Sequence, residues 1–267
     1  MRRILLSLSI GILLICFVGI LRSEAQQNLF NVPSSDITLQ GKPFFQQQFN
    51  ISKGLIQFNS TFSYGLGAHT EVGLNVLGLN VEKDFSLLTN SNKSISPVYP
   101  FFMFNFQKAV VLNRLLKFAV GTQAGFSKGG HFGSYTYANL VTALTHTRSK
   151  IITGVYYGSN SLLGTEERNP TVPVFEPVGF QLGIEQQIIE EKLLFIAENI
   201  TGKHGLGETT LGGAYYLTEH WVLSAGYQFA NPNSKTLSAL VIEVTYVPSS
   251  TTHQKIYKHG HRHHPKV

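Results

Sequence analysis

The sequence predicts an all-β fold: a single antiparallel transmembrane β-barrel of about twelve strands with its apolar face outward. Three observations predict it. Asp, Glu, Lys and Arg make up only 13% of the residues, against roughly 25% in ordinary soluble domains. Beyond the N-terminal leader there is no uninterrupted apolar run of roughly 18 residues, so no spanning helix is available. Apolar and small polar residues alternate through most of the chain, which is the period of a strand.

The first 25 residues have the organisation of a secretory signal peptide. Arg2 and Arg3 precede an apolar stretch over residues 4–21, and Ser23 and Ala25 supply the small residues of a cleavage site. We therefore expect cleavage after Ala25, the alternative being a retained membrane anchor. Cys16 is the only cysteine, so the mature chain has no thiol for a disulfide, a Cys-ligated zinc site or a nucleophile.

Alternation defines the strands that follow. In residues 55–64, Ile56, Phe58 and Phe62 share one face, and Gln57 and Asn59 share the other. Twelve segments are predicted, at 43–51, 55–65, 69–80, 98–110, 115–127, 132–145, 150–158, 175–188, 192–201, 207–217, 220–230 and 236–247. At about ten residues each, they suit tilted strands that cross a hydrocarbon layer. The predicted domains are thus a periplasmic segment (26–40), the barrel (41–248) and a flexible basic tail (249–267).

Connection lengths predict the orientation. Short turns fall at 65–68, 111–114, 146–149, 189–191 and 218–219, whereas the two longest loops, 81–97 and 159–174, alternate with them. Outer-membrane barrels have short periplasmic turns and longer extracellular loops. We therefore expect both termini in the periplasm. Periodicity alone also allows a soluble barrel with an apolar cavity, but its outer face should be rich in Lys and Glu.

Short motifs carry a family resemblance over residues 28–248. They are the stretches 31–35 (NVPSS), 41–43 (GKP), 64–66 (YGL) and 71–74 (EVGL). With them the chain resembles the outer-membrane transporter β-barrels of Bacteroidetes-type Gram-negative bacteria and, more loosely, the phenol meta-pathway degradation family of barrels. The resemblance implies passive uptake or export and carries over no site residue. One departure is that Tyr246 is followed by 21 further residues, whereas such barrels end at an aromatic residue.

Polar strand positions supply the candidate functional residues. A carboxylate facing lipid at mid-depth is costly, so acidic strand residues are expected in the lumen. The lumen-lining candidates are Glu71, Lys117, Gln123, Gln181, Glu185, Glu198 and Glu243. Two readings stay open for the acids. They form either a constriction that favours cations or a plug in which they hydrogen-bond across a filled barrel.

Two weaker signals concern other chemistry. His131 and Ser134 lie close together near one strand end, which leaves an outer-membrane lipid hydrolase as an alternative function, since such enzymes pair Ser with His. A histidine-rich tail can gather transition metals weakly. Its members are His253, His259, His261, His263 and His264.

The sequence thus predicts a passive channel or transporter for small solutes, without catalytic residues or a cofactor. The alternatives are the hydrolase and a structural barrel that recruits partners through its loops or tail. Expected partners are outer-membrane lipid, a small-molecule solute, and the barrel-assembly and periplasmic chaperone machinery. Nucleic acid is not expected, because much of the excess positive charge lies in the tail.

Overall fold

The computed structural model describes residues 28–92, 97–144, 146–164 and 177–248. Its strands are β1 (Pro43–Ser52), β2 (Leu55–Gly67), β3 (Thr70–Glu82), β4 (Leu87–Leu88), β5 (Phe101–Val111), β6 (Leu116–Ser127), β7 (Phe132–Leu144), β8 (Ser149–Gly158), β9 (Val178–Ile189), β10 (Leu193–Ile200), β11 (Glu208–Tyr216), β12 (Trp221–Ala230) and β13 (Ala239–Tyr246). A short helix, α1 (Asn160–Leu163), follows β8. Within the described part of the chain, no helix is both long and apolar enough to cross a membrane.

The strands close into a ring of twelve. Each strand pairs antiparallel with its neighbour, β3 pairs with β5, and β13 pairs with β1 through Phe45–Tyr246 to Ile51–Leu240. The two-residue β4 lies outside the ring, on β3. The predicted twelve-stranded antiparallel barrel is therefore confirmed, with β4 as an addition.

The apolar face of the barrel points outward, as predicted. Phe104 is 74% exposed and Phe180 is 64% exposed, whereas Gln181 and Glu243, which point inward, are fully buried. Buried and exposed residues alternate along β5, β7 and β9, because successive side chains of a strand point to opposite faces. The barrel therefore has an apolar exterior and a polar interior.

The two ends of the barrel differ in their connections. At the turn end, connections are no longer than four residues, and the tightest is Ala68–His69, where both residues have positive φ (49° and 55°). Positive φ at both central residues is typical of a type I′ hairpin turn. The opposite end, here called the loop end, carries the long connections β3–β5 and β8–β9. Both long connections thus lie at the same end of the barrel, as predicted, although the β1–β2 connection at this end has only two residues.

The N-terminal residues 28–38, here called the inner segment, lie inside the barrel. Leu29, Phe30, Val32 and Ser34 are at most 1% exposed. The sequence predicted a periplasmic segment over residues 26–40; the structure instead encloses residues 28–38 in the barrel, while Leu39 and Gln40 are exposed. The physical reason is that the lumen offers this segment both apolar contacts and hydrogen-bond partners, as detailed below.

Candidate functional site

The lumen collects all the candidate residues on its inner wall. Glu71, Glu185, Glu198, Glu243 and Gln181 are at most 4% exposed, and they alternate with outward apolar neighbours. Lys117 and Gln123 occupy inward positions of β6 and hydrogen-bond to other lumen residues. The lumen is not uniform, however. The inner segment is held by β8 and β10 and by single residues of β3, β5, β6 and β7, and an open chamber remains beside β1–β6.

Glu198 binds the tip of the inner segment. The chain turns at residues 29–32, where the Leu29 N–H donates to the Val32 carbonyl oxygen at 3.0 Å. The Glu198 carboxylate accepts the N–H groups of Phe30 (3.1 Å), Asn31 (2.9 Å) and Val32 (2.9 Å). Successive N–H groups that converge on one anion form a backbone nest. The buried charge of Glu198 is thus stabilised by the inner segment itself.

An ion cluster holds the middle of the inner segment. The Asp36 carboxylate lies 3.0 Å from Lys117 Nζ and 2.9 Å from Lys150 Nζ, and Lys150 lies 2.9 Å from Glu185. Burial raises the pKa of Asp36, but attraction to Lys150 and Lys117 outweighs it and holds this pKa below its ordinary value. Asp36 is therefore charged, and it links the inner segment to β6 and β8.

Further polar contacts extend along the inner segment toward the turn end. The Asn139 side chain donates to the Pro33 carbonyl oxygen (2.6 Å), and the Gln107 side chain donates to the Ser34 carbonyl oxygen (2.9 Å). Glu71 accepts the Thr38 N–H at 2.7 Å. Buried backbone groups need such partners, so the inner wall satisfies a segment that has no regular secondary structure.

Glycines on the wall make room for the apolar side chains of the tip. A Cβ added at Gly183 would lie 2.1 Å from Leu29 Cδ1, and one added at Gly226 would lie 2.9 Å from the Phe30 ring. Larger residues at these positions would displace Leu29 and Phe30. The wall and the tip are therefore complementary in shape as well as in charge.

Beside the inner segment lies a chamber of about 420 Å³. It follows β1, β2, β3, β5 and β6 from near the turn end to the loop-end connections. Its polar lining is mostly amide: Asn28, Asn31, Gln46, Gln48, Asn50, Gln57, Asn59, Asn75, Asn80, Asn105, Gln107, Gln123 and Gln228. Residues 28, 30, 31 and 33 of the inner segment form part of its wall.

The two candidate glutamines lie on different sides of this arrangement. Gln123 lines the chamber and accepts the Asn75 amide at 2.6 Å, while Asn75 accepts the Asn105 amide at 2.6 Å. Gln181 is fully buried and absent from the chamber lining; it accepts the Tyr135 hydroxyl at 2.7 Å and donates to Asn139. Glu243 is likewise buried, and it accepts the hydroxyls of Ser224 (3.3 Å) and Thr245 (3.2 Å).

A buried histidine fixes one loop-end connection. His204, between β10 and β11, accepts the Leu206 N–H at Nδ1 (3.2 Å) and contacts the Tyr156 hydroxyl at Nε2 (2.6 Å). Burial lowers its pKa to about 4, which the Thr201 backbone offsets only in part. Sequence analysis gave this residue no role, because nothing in its neighbours indicates burial.

The residues considered for hydrolysis, His131 and Ser134, each have a hydrogen-bond partner elsewhere. The His131 Nε2 atom lies 2.7 Å from the Ser91 carbonyl oxygen, and the Ser134 N–H donates to the Ser159 hydroxyl at 2.9 Å. Neither residue has the other as its partner in these bonds. Within the described ranges, no group of three or more His, Cys, Asp or Glu could hold a metal ion. The tail histidines from His253 to His264 and the expected cleavage site lie outside the described residues.

Comparisons with solved structures place this fold among outer-membrane barrels. The NanC porin aligns with a TM-score of 0.52 at 9% identity, over 78% of this chain and 100% of that one. Outer membrane phospholipase A from Escherichia coli aligns over 78% of this chain and 93% of that one, at 12% identity with a TM-score of 0.40, too low to carry an inference. No family model and no curated protein matches the sequence. The chain therefore has an outer-membrane barrel fold similar to that of a porin.

Proposed function

We propose that this chain is a passive channel or transporter for small solutes in the outer membrane of a Gram-negative bacterium. In this proposal the chain reaches the outer membrane after its signal peptide is cleaved. The observation that carries the proposal is the polar chamber that runs along half of the lumen. An apolar exterior suits contact with lipid, and a hydrated polar interior suits solute passage. The resemblance of motifs in residues 31–35 and 64–74 supports the same class, the outer-membrane transporters of Bacteroidetes-type bacteria, and more loosely the phenol meta-pathway barrels.

The inner segment restricts this path. Glu198, Glu71 and Glu185 are engaged by the Phe30–Val32 turn, Thr38 and Lys150, respectively. These carboxylates are therefore used to hold the lumen filling in place, which favours the plug over the cation-selective constriction. In this proposal the solute passes through the chamber, and the inner segment sets the width of the passage.

Planar-bilayer recording of the full chain and of Glu198→Gln tests the proposal. The substitution replaces a carboxylate that accepts three N–H groups with a neutral amide. Charge-assisted hydrogen bonds contribute roughly 1.5–3 kcal/mol, so the tip should bind the wall more weakly. We expect the variant to show a larger or more frequently open conductance than the wild type.

Glu190→Gln is the matched control. Glu190 pairs with Arg148 at the turn end, with both side chains about half exposed or more, and its neutralisation should leave the conductance unchanged. Absence of conductance in both the wild type and Glu198→Gln would contradict the channel function. A purely structural barrel, which recruits partners through its loops or tail, would give that result.

We also propose that the chain is not an enzyme, because the His131 Nε2 atom is bonded to the Ser91 carbonyl oxygen and not to a serine hydroxyl. The purified, folded barrel should release no fatty acid from phospholipid vesicles. Turnover abolished by Ser134→Ala would instead support the hydrolase alternative.

A further inference from the structure

We infer that the chamber binds an uncharged, polyhydroxylated solute of the size of a small neutral sugar. This inference rests on the proposed channel function and names the class of solute that the channel carries. It follows from the chemistry of the lining, from the position of the charges, and from the size of the chamber.

The lining matches hydroxyl groups. Four neighbouring strands of the ring, β2, β3, β5 and β6, contribute amide side chains to the chamber lining. These are Gln57, Asn59, Asn75, Asn105 and Gln123. Each amide offers one oxygen acceptor and two N–H donors, and a hydroxyl group is itself both donor and acceptor. A polyol can therefore replace its hydrogen bonds to water with hydrogen bonds to amides all along the wall. This holds whether a given hydroxyl donates or accepts.

Aromatic side chains supply the second element. Tyr99, Phe101, Tyr135 and Tyr137 line the same chamber, and among them the half-buried Tyr99 is the most accessible. Aromatic rings present a flat apolar face, which suits the C–H face of a sugar ring, while amides bind its hydroxyl edge. An anion would gain nothing from such a face, because it carries the negative part of the ring quadrupole.

The charges of the lumen lie mostly elsewhere. The Asp36–Lys117–Lys150–Glu185 cluster lies outside the chamber lining. Of the charged residues that do line the chamber, Glu71 accepts the Thr38 N–H, Glu208 accepts the Asn31 side chain, and Lys235 lies in the loop-end connection between β12 and β13. A charged solute that loses its water beside Asn75, Asn105 and Gln123 meets amides rather than an opposite charge, which is costly.

The size of the chamber limits the solute. Its volume of about 420 Å³ falls in the range of roughly 300–1,000 Å³ that holds small ligands. A monosaccharide or disaccharide is of this scale, whereas a folded polymer is not.

Equilibrium binding to the refolded full chain in detergent tests this inference without requiring conduction. The probes are glucose, its acidic relative glucuronate and its basic relative glucosamine, which have similar size and different charge. We expect saturable binding of glucose and several-fold weaker binding of both charged relatives. Equal binding of the three, or no saturable glucose binding by a folded, heat-modifiable barrel, would overturn the inference.

A double variant, Gln57→Glu with Gln123→Glu, adds two charges to the chamber with little change in shape. Both side-chain oxygens act as acceptors, from Asn50 (3.3 Å) and Asn75 (2.6 Å), so a carboxylate preserves these bonds. Glucose affinity should fall by roughly tenfold, because charges without an opposite partner replace matched amides, and glucosamine affinity should rise. Gln187→Glu, on β9 outside the chamber lining, should change neither affinity.

Liposome flux with the same probes separates the two proposals. Glucose flux that exceeds glucuronate and glucosamine flux supports both. Equal flux of all three would leave a channel but overturn the solute class. Glucose binding without flux, in the wild type and in Glu198→Gln, would contradict the channel function while the chamber remained a sugar site.

Discussion

The two sides of the lumen differ in how their inward-pointing polar side chains find partners. On the packed side, β8–β10 present Lys150, Glu185 and Glu198, and each is matched by a charged partner or by backbone N–H groups. On the chamber side, β1–β6 present mainly neutral amides. Buried charges require dedicated partners, whereas an amide can bond to a neighbour, to water or to a passing solute. Charged side chains thus hold much of the lumen filling, whereas neutral amides make up most of the polar lining where the lumen is open.

The largest expected effect is the difference in lost unfolding free energy between breaking a buried ion pair and breaking an exposed one. Lys150→Met leaves Glu185 and one oxygen of Asp36 without their cation inside the barrel, and breaking a buried pair costs about 3–5 kcal/mol. Arg148→Met removes the exposed pair with Glu190, where the loss should be at most about 1 kcal/mol. Urea unfolding of the refolded barrel measures both.

A second charge change sharpens this test. Lys150→Met combined with Glu185→Gln removes one of the unmatched charges and should recover part of the lost stability. Equal losses for Lys150→Met and Arg148→Met would show that the packed side is as hydrated as the surface, and the contrast between the two sides would fail.

An intermediate loss of stability is expected when one glutamine from each side of the lumen is replaced by methionine. Gln181→Met removes the buried partner of the Tyr135 hydroxyl and of the Asn139 side-chain oxygen, which costs roughly 1–3 kcal/mol. Gln57→Met, in the chamber, should cost less than about 1 kcal/mol, because Asn50 also lies within 3.5 Å of Gln228 and faces the open chamber. The same unfolding experiment compares them, and a larger loss for Gln57→Met would reverse the assignment of sides.

The smallest effect is local and depends on pH. The pKa of His204 is about 4 in the fold and 6.5 ordinarily, so below pH 6.5 the unfolded connection takes up protons before the folded one does. The contribution of His204 to the stability of this folded connection is therefore fully present above about pH 6.5 and declines toward pH 4. The reason is that protonation of Nδ1 breaks the hydrogen bond from the Leu206 N–H. Hydrogen exchange over residues 201–207, corrected for intrinsic rates, should rise between pH 7 and pH 4.5.

His204→Gln should remove this pH dependence, whereas His131→Gln, at an exposed loop residue, should leave it in place. Protection of residues 201–207 that stays constant across this pH range in the wild type would contradict the role of His204.

Most of the barrel could be predicted from the sequence, because a strand between lipid-like and polar surroundings imposes a period of two. Phe58 with Asn59, or Phe180 with Gln181, shows the two faces of a strand, and the scarcity of Lys and Glu on the polar face indicates that this face points inward. Filling of the lumen could not be predicted in the same way. The inner segment has no periodic pattern, and its partners, such as Glu198 for Phe30, lie 168 residues away. Leu29, Phe30 and Val32 beside Asp36 were the available signal, since apolar residues in an otherwise polar stretch need a place to be buried.

The position of the inner segment also affects the order in which parts of the chain fold. Its contacts with β8 and β10 join residues separated by 114 and 166–168 positions, and contacts of high sequence separation form slowly because long loops must close first. The segment is made before every strand of the barrel, yet Glu198 and Lys150 can receive it only once their strands are paired. Folding therefore runs against the order of synthesis here: the first part of the described chain to be made is among the last to reach its final place.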